Sequence, residues 1–292
     1  MLALENIKSL GLRSDLMIAA HKSIIEQRDG YLVVKSPHNP GYYWGNYILF
    51  NRPPTLRDAQ LCNERGWEYL FHREFSDLPA VRHAAFVWDS PEGSRGEVEE
   101  FEALGYEVEA TEVLTADEIY PPLYSNERIR ISEITSVDQW NAVRDLLILT
   151  REPHFEERLY ARYVERKVET YRSMAMKKNG AWFGAFMGTD LVGTLGMFTG
   201  YGVGRFQHVV THPAYRRQGI CGTLVYEIAS LALTRDEVEY LVMQADPEYD
   251  AARLYKSLGF KETELLYSLE KSNTAFEGNE EITQKFHAQP SI

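Results

Sequence analysis

The residues Phe206-Gln-His-Val-Val-Thr-His-Pro-Ala-Tyr-Arg-Arg-Gln-Gly-Ile-Cys-Gly-Thr-Leu-Val225 carry the clearest structural signal in this chain. They begin as an apolar strand, pass through a polar loop, and continue into the apolar spacing of a helix predicted from Gly219 to Leu233. A strand that runs into a helix N-terminus presents backbone N–H groups and the positive end of the helix dipole. This arrangement is typical of a phosphate-binding site.

The composition of the loop also favours an anion. Between Tyr215 and Gly222 there is no proline, so every backbone donor is present. Gly219 and Gly222 allow close approach of the backbone, and Arg216 and Arg217 add positive charge to an acidic protein. An ordinary capped helix after a turn is the alternative interpretation of the same residues.

Two segments carry a resemblance to a known family. Arg216-Arg-Gln-Gly-Ile-Cys221 resembles the pyrophosphate loop of the GNAT acyltransferase superfamily, whose pattern is Gln/Arg-x-x-Gly-x-Gly/Ala, and Asp246 to Phe260 resembles its later helix-and-strand motif. The resemblance extends over about residues 127–270. Two positions depart from the pattern, because Cys221 stands where Gly or Ala is usual and Glu248 stands where an Asn is often found.

The resemblance implies an acyl-CoA co-substrate, with acetyl-CoA expected. The pantetheine arm would pair with the strand, and the pyrophosphate would lie on the amides of residues 216–222. The cofactor-binding residues that follow from this are Val209, Val210, Thr211, Arg216, Arg217, Gln218, Gly219, Ile220, Cys221, Gly222 and Thr223.

Acyl transfer to an amine also needs acid–base chemistry, because the departing thiolate needs a proton and an ammonium must lose one before it attacks. Tyr255 lies at the position of the family's usual general acid, although a tyrosine there also serves simply to pack its ring. His208, on the strand beside the loop, is a candidate base because an imidazole titrates near neutral pH. A histidine satisfied within the strand is the alternative.

Other candidates for the base lie at the junction between two predicted helices. Glu152, His154 and Glu156 cluster there, and a water chain to solvent would need none of them. The same cluster lacks a convincing spacing of metal ligands, so no metal is expected. His212, which precedes Pro213, is expected to be a turn residue.

The first half of the chain resembles the second half without its chemistry. Phe101-Glu-Ala-Leu-Gly-Tyr106 matches Tyr255-Lys-Ser-Leu-Gly-Phe260, which predicts an internal duplication. The matching strand-to-helix junction reads Phe50-Asn-Arg-Pro-Pro-Thr55, where two prolines remove amide donors. We therefore expect no cofactor site there. The aromatic cluster Tyr42-Tyr-Trp44 either lines an acceptor pocket or packs in the core.

The composition excludes several classes of function. The chain has 292 residues and a net charge of −12, which disfavours a general nucleic-acid binder. Its two cysteines, Cys62 and Cys221, provide no disulfide framework and fit a reducing compartment. No stretch reaches the roughly 18 apolar residues of a membrane span, and charges interrupt the N-terminal segment. We expect a cytoplasmic protein.

Two prolines at Pro121-Pro122 indicate a division of the chain. The predicted parts are a degenerate GNAT-like domain at 1–124, a GNAT acetyltransferase domain at 125–270 and a polar tail at 271–292. The expected class is α/β (α+β), with each half a mixed, mainly antiparallel sheet flanked by helices. The expected function is direct acyl transfer to an amine, expected to be a small molecule, and the alternative is an acyl-CoA sensor without turnover.

Overall fold

In the computed structural model, the chain divides into two units by the contacts between its residues. The first unit lies within residues 6–112 and 264–272, and the second within residues 113–263. The described residues within them are 6–60, 64–153, 155–235, 237–245 and 251–272.

The first unit has a sheet of five strands and the first part of a sixth, with helices against it. Its elements are α1 (Leu10–Ala19), β1 (Ile24–Arg28), β2 (Tyr31–Lys35), β3 (Tyr47–Phe50), α2 (Trp67–Glu74), β4 (His83–Trp88), α3 (Glu99–Ala103) and the first part of β5 (Glu107–Ala116). The last strand of the chain, β11 (Lys261–Ser272), completes the order β1-β2-β3-β4-β11.

The second unit has the longer strands. Its elements are β6 (Arg130–Glu133), α4 (Val137–Leu149), α5 (Glu157–Met176), β7 (Gly180–Met187), β8 (Asp190–Gly200), β9 (Gly202–Thr211), α6 (Ile220–Leu233), β10 (Val238–Ala245) and α7 (Ala251–Ser257). With the end of β5, its strands follow the order β5-β10-β9-β8-β7-β6.

The same strand pattern occurs in both units. In the first, β1, β2 and β3 pair antiparallel and β3 pairs with β4 in parallel. In the second, β7, β8 and β9 pair antiparallel and β9 pairs with β10 in parallel. The predicted fold class, two halves with mixed and mainly antiparallel sheets, is confirmed.

The matching hexapeptides adopt the same local structure. Gly105 and Gly259 both have positive φ, at 86° and 112°, which ends α3 and α7 in the left-handed conformation that glycine favours. The amide of Tyr106 donates to the carbonyl of Phe101 at 3.0 Å, and the amide of Phe260 donates to that of Tyr255 at 3.2 Å. The two rings of each pair also meet edge to face.

Each unit takes one strand from the distant half of the chain. Residues 264–272 of β11 pair with β4, with Ser268 opposite Val87 and Ser272 opposite His83. Residues 113–116 of β5 belong to the second unit, where β5 lies beside β10. The division by contacts therefore falls at 112/113 and 263/264, whereas the sequence placed one division at 124/125.

Several predicted elements differ in extent. The sequence from Thr55 to about Phe75 predicts a helix with Thr55 as a possible cap, but α2 begins only at Trp67. Residues 55–58 instead form a turn, in which the Asp58 amide donates to the Thr55 carbonyl at 2.9 Å and the Asp58 carboxylate accepts from the amide and hydroxyl of Thr55 at 2.7 and 2.8 Å. The prediction missed α1 and β1, whose apolar periodicity is weak.

Candidate active site

The parallel strands β9 and β10 diverge in the middle of the second unit. Their pairing runs from Gly202 opposite Val238 to Arg205 opposite Val242, and no further pair is formed among the described residues of the two strands. On its other edge, β9 stays paired with β8 up to Thr211. The last six residues of β9 therefore offer one row of backbone groups to a ligand rather than to a neighbouring strand.

A small cleft, open to solvent, lies at this divergence. Its lining combines apolar side chains with several polar ones from β9, β10 and α7. The lining residues are Arg205, Phe206, Gln207, His208, Val209, Met243, Gln244 and Tyr255.

The loop after β9 leads directly to the N-terminus of α6. Within α6, the first amide with an intrahelical acceptor is that of Thr223, which donates to Gly219 at 3.0 Å. The amides of Ile220, Cys221 and Gly222 precede it, so they have no acceptor inside the helix. The cofactor-binding residues predicted from the sequence are thus consecutive along one strand edge and one helix terminus.

The side chains of these residues divide into two groups. Val209, Val210, Ile220 and Cys221 are buried, so only their backbone groups could face a ligand. Arg216, Arg217 and Gln218, by contrast, are half-buried or exposed. The positive charge predicted for the loop therefore lies at its surface, where it is available to a polyanion.

The two loop glycines contact the segment that enters the unit. A side chain at Gly219 would lie 2.7 Å from the carbonyl oxygen of Tyr124, and one at Gly222 would lie 3.2 Å from the ring of Pro122. Asn126 fixes this segment, because its amide donates to Thr223 Oγ1 and its side chain donates to the Gln218 carbonyl, both at 2.8 Å. The absence of side chains at Gly219 and Gly222 therefore allows residues 122–126 to lie close to the loop.

Cys221 is accommodated in the core of the second unit. It is 6% exposed and belongs to the same cluster as Leu224 and Tyr255. Burial raises the pKa of its thiol to about 12, so the thiol stays protonated at neutral pH. Cysteine acts here as the small apolar residue that the loop pattern requires.

Tyr255 is fully buried within the protein and lines the cleft from α7. Its ring packs edge to face on Phe260 at 6.2 Å. The position fits both interpretations drawn from the sequence, since the ring packs in the core while the residue borders the cleft.

His208 has an unusual backbone and an unusual environment. Its φ of 44° lies in the left-handed region that non-glycine residues rarely occupy, at an irregularity in the β8–β9 pairing. The residue is 7% exposed, and its buried Nε2 has no hydrogen-bond partner among the residues that the structure describes. Burial, and then the charges of Lys167 and Arg205, lower the pKa of His208 to about 3. The imidazole is therefore neutral at pH 7 and a weak proton acceptor.

The other candidate bases are placed differently. Glu156 caps α5, where its carboxylate accepts from the amides of Leu159 and Arg158 at 2.8 and 3.0 Å. These bonds lower the pKa of Glu156, which opposes protonation. Glu152 is half-buried. His154 and Glu248 lie outside the described residues, as does the predicted tail at 271–292 except for Lys271 and Ser272, which belong to β11. His212 accepts from the amide of Ala214 and is the turn residue expected.

Sequence reasoning missed the polar groups on the α5 side of the cleft. Arg205 donates to Gln244 Oε1 at 2.7 Å and so joins β9 to β10 where they diverge. Tyr171 on α5 donates to Gln207 Oε1 at 3.0 Å. The sequence contains a sign of these groups. Arg205 and Gln207 are polar residues at alternate positions in an apolar strand, so both side chains lie on one face of it.

The corresponding region of the first unit is closed. The parallel strands β3 and β4 stay paired to their ends, with Phe50 opposite Trp88. Trp67 stacks on Phe50 at 3.8 Å and lies 5.6 Å from Phe101, so aromatic rings fill the space next to the strands.

A carboxylate of the chain itself occupies the proline-containing junction. Asp58 accepts two hydrogen bonds from Arg52 at 2.7 and 2.8 Å, besides those from Thr55. Burial opposes its ionisation, but these hydrogen bonds outweigh it and lower the pKa of Asp58. An anionic group thus already satisfies the donors that follow β3.

Part of the aromatic cluster at 42–44 packs in the core of the first unit. Tyr43 is fully buried and stacks on His83 with 3.9 Å between the ring centroids. Trp44 lies edge to face with Tyr47 at 5.6 Å.

The described residues contain no group of three or more His, Cys, Asp or Glu side chains that could hold a metal ion. Among the same residues, no helix is both long enough and apolar enough to span a membrane.

Residues 140–260 match the family model described as the acetyltransferase (GNAT) family. The matched range runs from α4 to the residue before β11, so it includes the diverging strands, the loop and Tyr255. The second unit contains a GNAT domain. Domains of this family are acyl-CoA-dependent acyltransferases, and the resemblance found in the sequence is confirmed. No curated protein matches the chain.

Solved structures extend the likeness over both units. A functionally unknown conserved protein from Staphylococcus epidermidis is 16% identical with a TM-score of 0.67, covering 86% of this chain and 94% of that one. A GCN5-related N-acetyltransferase from Kribbella flavida is 13% identical with a TM-score of 0.61, covering 90% and 96%. A tandem GNAT protein from the clavulanic acid biosynthesis pathway is 13% identical with a TM-score of 0.53, covering 89% and 88%. At these identities the likeness concerns the fold, which is the tandem GNAT arrangement predicted here.

Proposed function

We propose that the GNAT domain of this protein transfers an acetyl group from acetyl-CoA to the amine of a small molecule, both bound together. The observation that carries the proposal is the divergence of β9 from β10 beyond Arg205, next to the free amides at the start of α6. The edge of Val209 to Thr211 would hold the pantetheine arm by backbone hydrogen bonds. The amides of Ile220, Cys221 and Gly222 would hold the pyrophosphate, with Arg216 and Arg217 nearby.

When bound, the co-substrate supplies an acyl thioester, and the residues of the cleft must position the amine and handle protons. Tyr255 is proposed to protonate the departing thiolate from the α7 side. For His208 the low pKa favours a neutral hydrogen-bonding role over that of a base. The amine would then lose its proton to solvent, which was one of the routes left open by the sequence.

The alternative is a domain that binds acyl-CoA without turnover. Two observations favour it. The one histidine among the described residues that line the cleft, His208, has a lowered pKa, and residues 122–126 lie against the loop glycines. A sensor would need the binding site but not the proton transfers.

Two measurements separate the acetyltransferase from the sensor: calorimetric titration with acetyl-CoA, and an assay of thiol release with a panel of amines. The test protein is compared with Arg216→Gln/Arg217→Gln and with Arg158→Gln/Arg172→Gln, which removes two exposed arginines from α5 as a charge-matched control. We expect the first pair to weaken binding at least tenfold and the control pair to leave it unchanged. Binding without thiol release from any amine supports the sensor, and absence of binding by the folded protein overturns both.

A further inference from the structure

The open edge of β9 runs from the loop before α6 to the point where β10 rejoins the strand. At the loop end, Val209 to Thr211 form the edge proposed to hold the pantetheine arm. At the other end, Arg205 donates to Gln244 Oε1 at 2.7 Å and bridges the two strands. A co-substrate whose pyrophosphate lies at the start of α6 would therefore bring its acyl group to the residues between Arg205 and Val209.

Three side chains lie between these two ends, and they offer different groups to a ligand. Phe206 packs edge to face on Phe260, with 6.0 Å between the ring centroids. The side-chain oxygen of Gln207 accepts a hydrogen bond from the Tyr171 hydroxyl at 3.0 Å. Nε2 of His208 is buried, and no described residue forms a hydrogen bond with it. The acyl group would thus meet a polar atom of His208 whose hydrogen bond the described protein does not supply.

A β-bulge in β9 sets the orientation of His208. In the pairing of β8 with β9, Gln207 lies opposite Gly196. Val210, three residues further along β9, lies opposite Thr194, which is only two residues away on β8. At the extra residue of this bulge, His208 has a φ of 44°, in the left-handed region. Bulges redirect side chains beside active sites, and backbone strain of this kind occurs preferentially at functional sites.

The packing around the imidazole limits its movement. His208 is 7% exposed, and its ring lies edge to face with that of Tyr171, with 5.6 Å between the centroids. Gln207 contacts the same tyrosine, so the bulge brings two consecutive side chains of β9 toward one residue of α5. A hydrogen-bond donor held in this way can stabilise a developing charge without first having to reorganise.

The protonation state of the imidazole also suits a donor. Burial, and then the charges of Lys167 and Arg205, lower the pKa of His208 to about 3, so at pH 7 the ring is neutral and carries one N–H. The oxygen of a thioester is a neutral acceptor. A hydrogen bond between the two groups therefore buries no additional charge in the ground state, and it satisfies a polar atom that is costly to leave unpaired.

We propose that His208 is a catalytic residue that donates a hydrogen bond from Nε2–H to the carbonyl oxygen of the acyl thioester. This inference rests on the proposed function. As the amine nitrogen bonds to the thioester carbon, an electron pair of the carbonyl moves to the oxygen, and the hydrogen bond from His208 becomes stronger. The pair then re-forms the carbonyl as the C–S bond breaks. The nitrogen loses its proton to solvent, and Tyr255 gives a proton to the thiolate and regains one from solvent.

Two matched ligands test this hydrogen bond without turnover. S-ethyl-CoA differs from acetyl-CoA only in having two hydrogens in place of the carbonyl oxygen, and calorimetry gives the affinity of the protein for each. We expect the unaltered protein to bind acetyl-CoA about threefold to tenfold more tightly, which is the usual net effect of one hydrogen bond. Infrared spectroscopy of bound acetyl-CoA gives a second measurement, the frequency of the carbonyl stretch.

The variant His208→Phe keeps an aromatic ring and removes the donor. It should abolish the preference for acetyl-CoA, raise the frequency of the carbonyl stretch and leave the affinity for S-ethyl-CoA within a few fold. With a reactive amine, kcat should fall about 10²–10³-fold. The control His83→Phe removes a similarly buried imidazole from the first unit and should change none of these values. If His208→Phe does not fold, His208→Ala removes the donor with a smaller side chain.

The outcomes distinguish this inference from the proposed function. A folded variant at residue 208 that keeps both the preference and the carbonyl frequency overturns the role of His208 and leaves the acyltransferase intact. Equal affinities of the unaltered protein for the two ligands do the same. A preference that disappears with the donor, without thiol release from any amine, supports the hydrogen bond and overturns the acyltransferase. A folded protein that does not bind acetyl-CoA overturns both.

Discussion

The carbonyl oxygen of Tyr124 faces the α-carbon of Gly219, 2.7 Å from the place where a side chain would begin. Gly219 also has a φ of 75°, so its position excludes a side chain on two separate grounds. This relationship ties the loop before α6 to residues 122–126, which enter the second unit from β5. The conformation of the loop is stabilised by contact with residues 122–126 as well as by its own backbone.

Gly219→Ala should displace residues 122–126 from the loop. The new methyl group cannot share the space of the Tyr124 carbonyl, and an alanine at positive φ costs about 1–2 kcal/mol. We expect faster hydrogen exchange at the amide of Asn126, which donates to Thr223 Oγ1. Gly105→Ala is the control, because Gly105 has a φ of 86° but no atom within 4 Å of the added methyl. Equal exchange at Asn126 in both variants would show that the contact with Tyr124 is unimportant.

Tyr255→Phe should lower kcat and leave the affinity for acetyl-CoA within a few fold. The ring and its packing on Phe260 are kept, and only the hydroxyl is lost. The expected loss is about 10²–10⁴-fold, the usual range for a general acid. Tyr240→Phe, which changes a tyrosine exposed by 40% on β10, is the control. Unchanged turnover in Tyr255→Phe would remove this tyrosine from the mechanism.

Acetyl-CoA should protect residues 215–223 from hydrogen exchange and leave residues 50–56 unaffected. In the first unit β3 and β4 stay paired to Phe50 and Trp88, and Asp58 already accepts the hydrogen bonds of Arg52 and Thr55. For the same reason Phe101→Tyr should create no second activity, because the hydroxyl would enter a closed aromatic core. Protection at 50–56 with none at 215–223 would reverse the assignment of the two units.

The free energy of unfolding should fall as the pH is lowered from 7 to 5, in part because of His83. Burial lowers the pKa of His83 to about 4, below its value of about 6.5 in the unfolded chain. The unfolded state therefore binds more protons between these values, and the stability present above pH 6.5 is lost toward pH 4. For this one residue the loss by pH 5 is about 2 kcal/mol.

His83→Gln provides the comparison, since an amide can still reach the Asn46 carbonyl to which His83 Nε2 is hydrogen-bonded. Urea unfolding at pH 7 and pH 5 should show a smaller difference in the variant than in the unaltered protein. An identical pH dependence in the two proteins would mean that His83 titrates normally.

Local sequence signals predicted the elements that depend on nearby residues. Ser136 and Gln139 form the capping box at the start of α4, and Gly259 ends α7 as its position before Phe260 indicated. The strand, loop and helix around Gly219 were predicted together with the fold, because backbone donors and small residues there follow directly from the sequence.

Features that depend on distant residues could not be predicted. A turn at residues 55–58 replaces the start of the helix that Thr55 predicts. His208 is recognisable as neutral only when its burial, and then the charges of Lys167 and Arg205, are known. The pairing of β11 with β4 joins residues far apart in the chain. The pattern of apolar residues in either strand does not show which strand it pairs with. The roles of individual catalytic residues also depend on contacts between distant parts of the chain, so the expectations for them stay predictions.

The pairing of β4 with β11 has a consequence for biosynthesis. Strand β4 ends at Trp88, but the partner for its second edge is complete only at Ser272. At ordinary translation rates of 5–20 residues per second, roughly 10–40 s pass between the emergence of the two strands from the ribosome. During that time the nascent chain presents an open strand edge built from His83-Ala-Ala-Phe-Val-Trp88, a sequence apt to pair with another chain. The first unit is synthesised first but is among the last parts of the protein to finish folding. The fraction of chains that fold correctly in the cell therefore depends on how well the open edge of β4 is protected until β11 has been made.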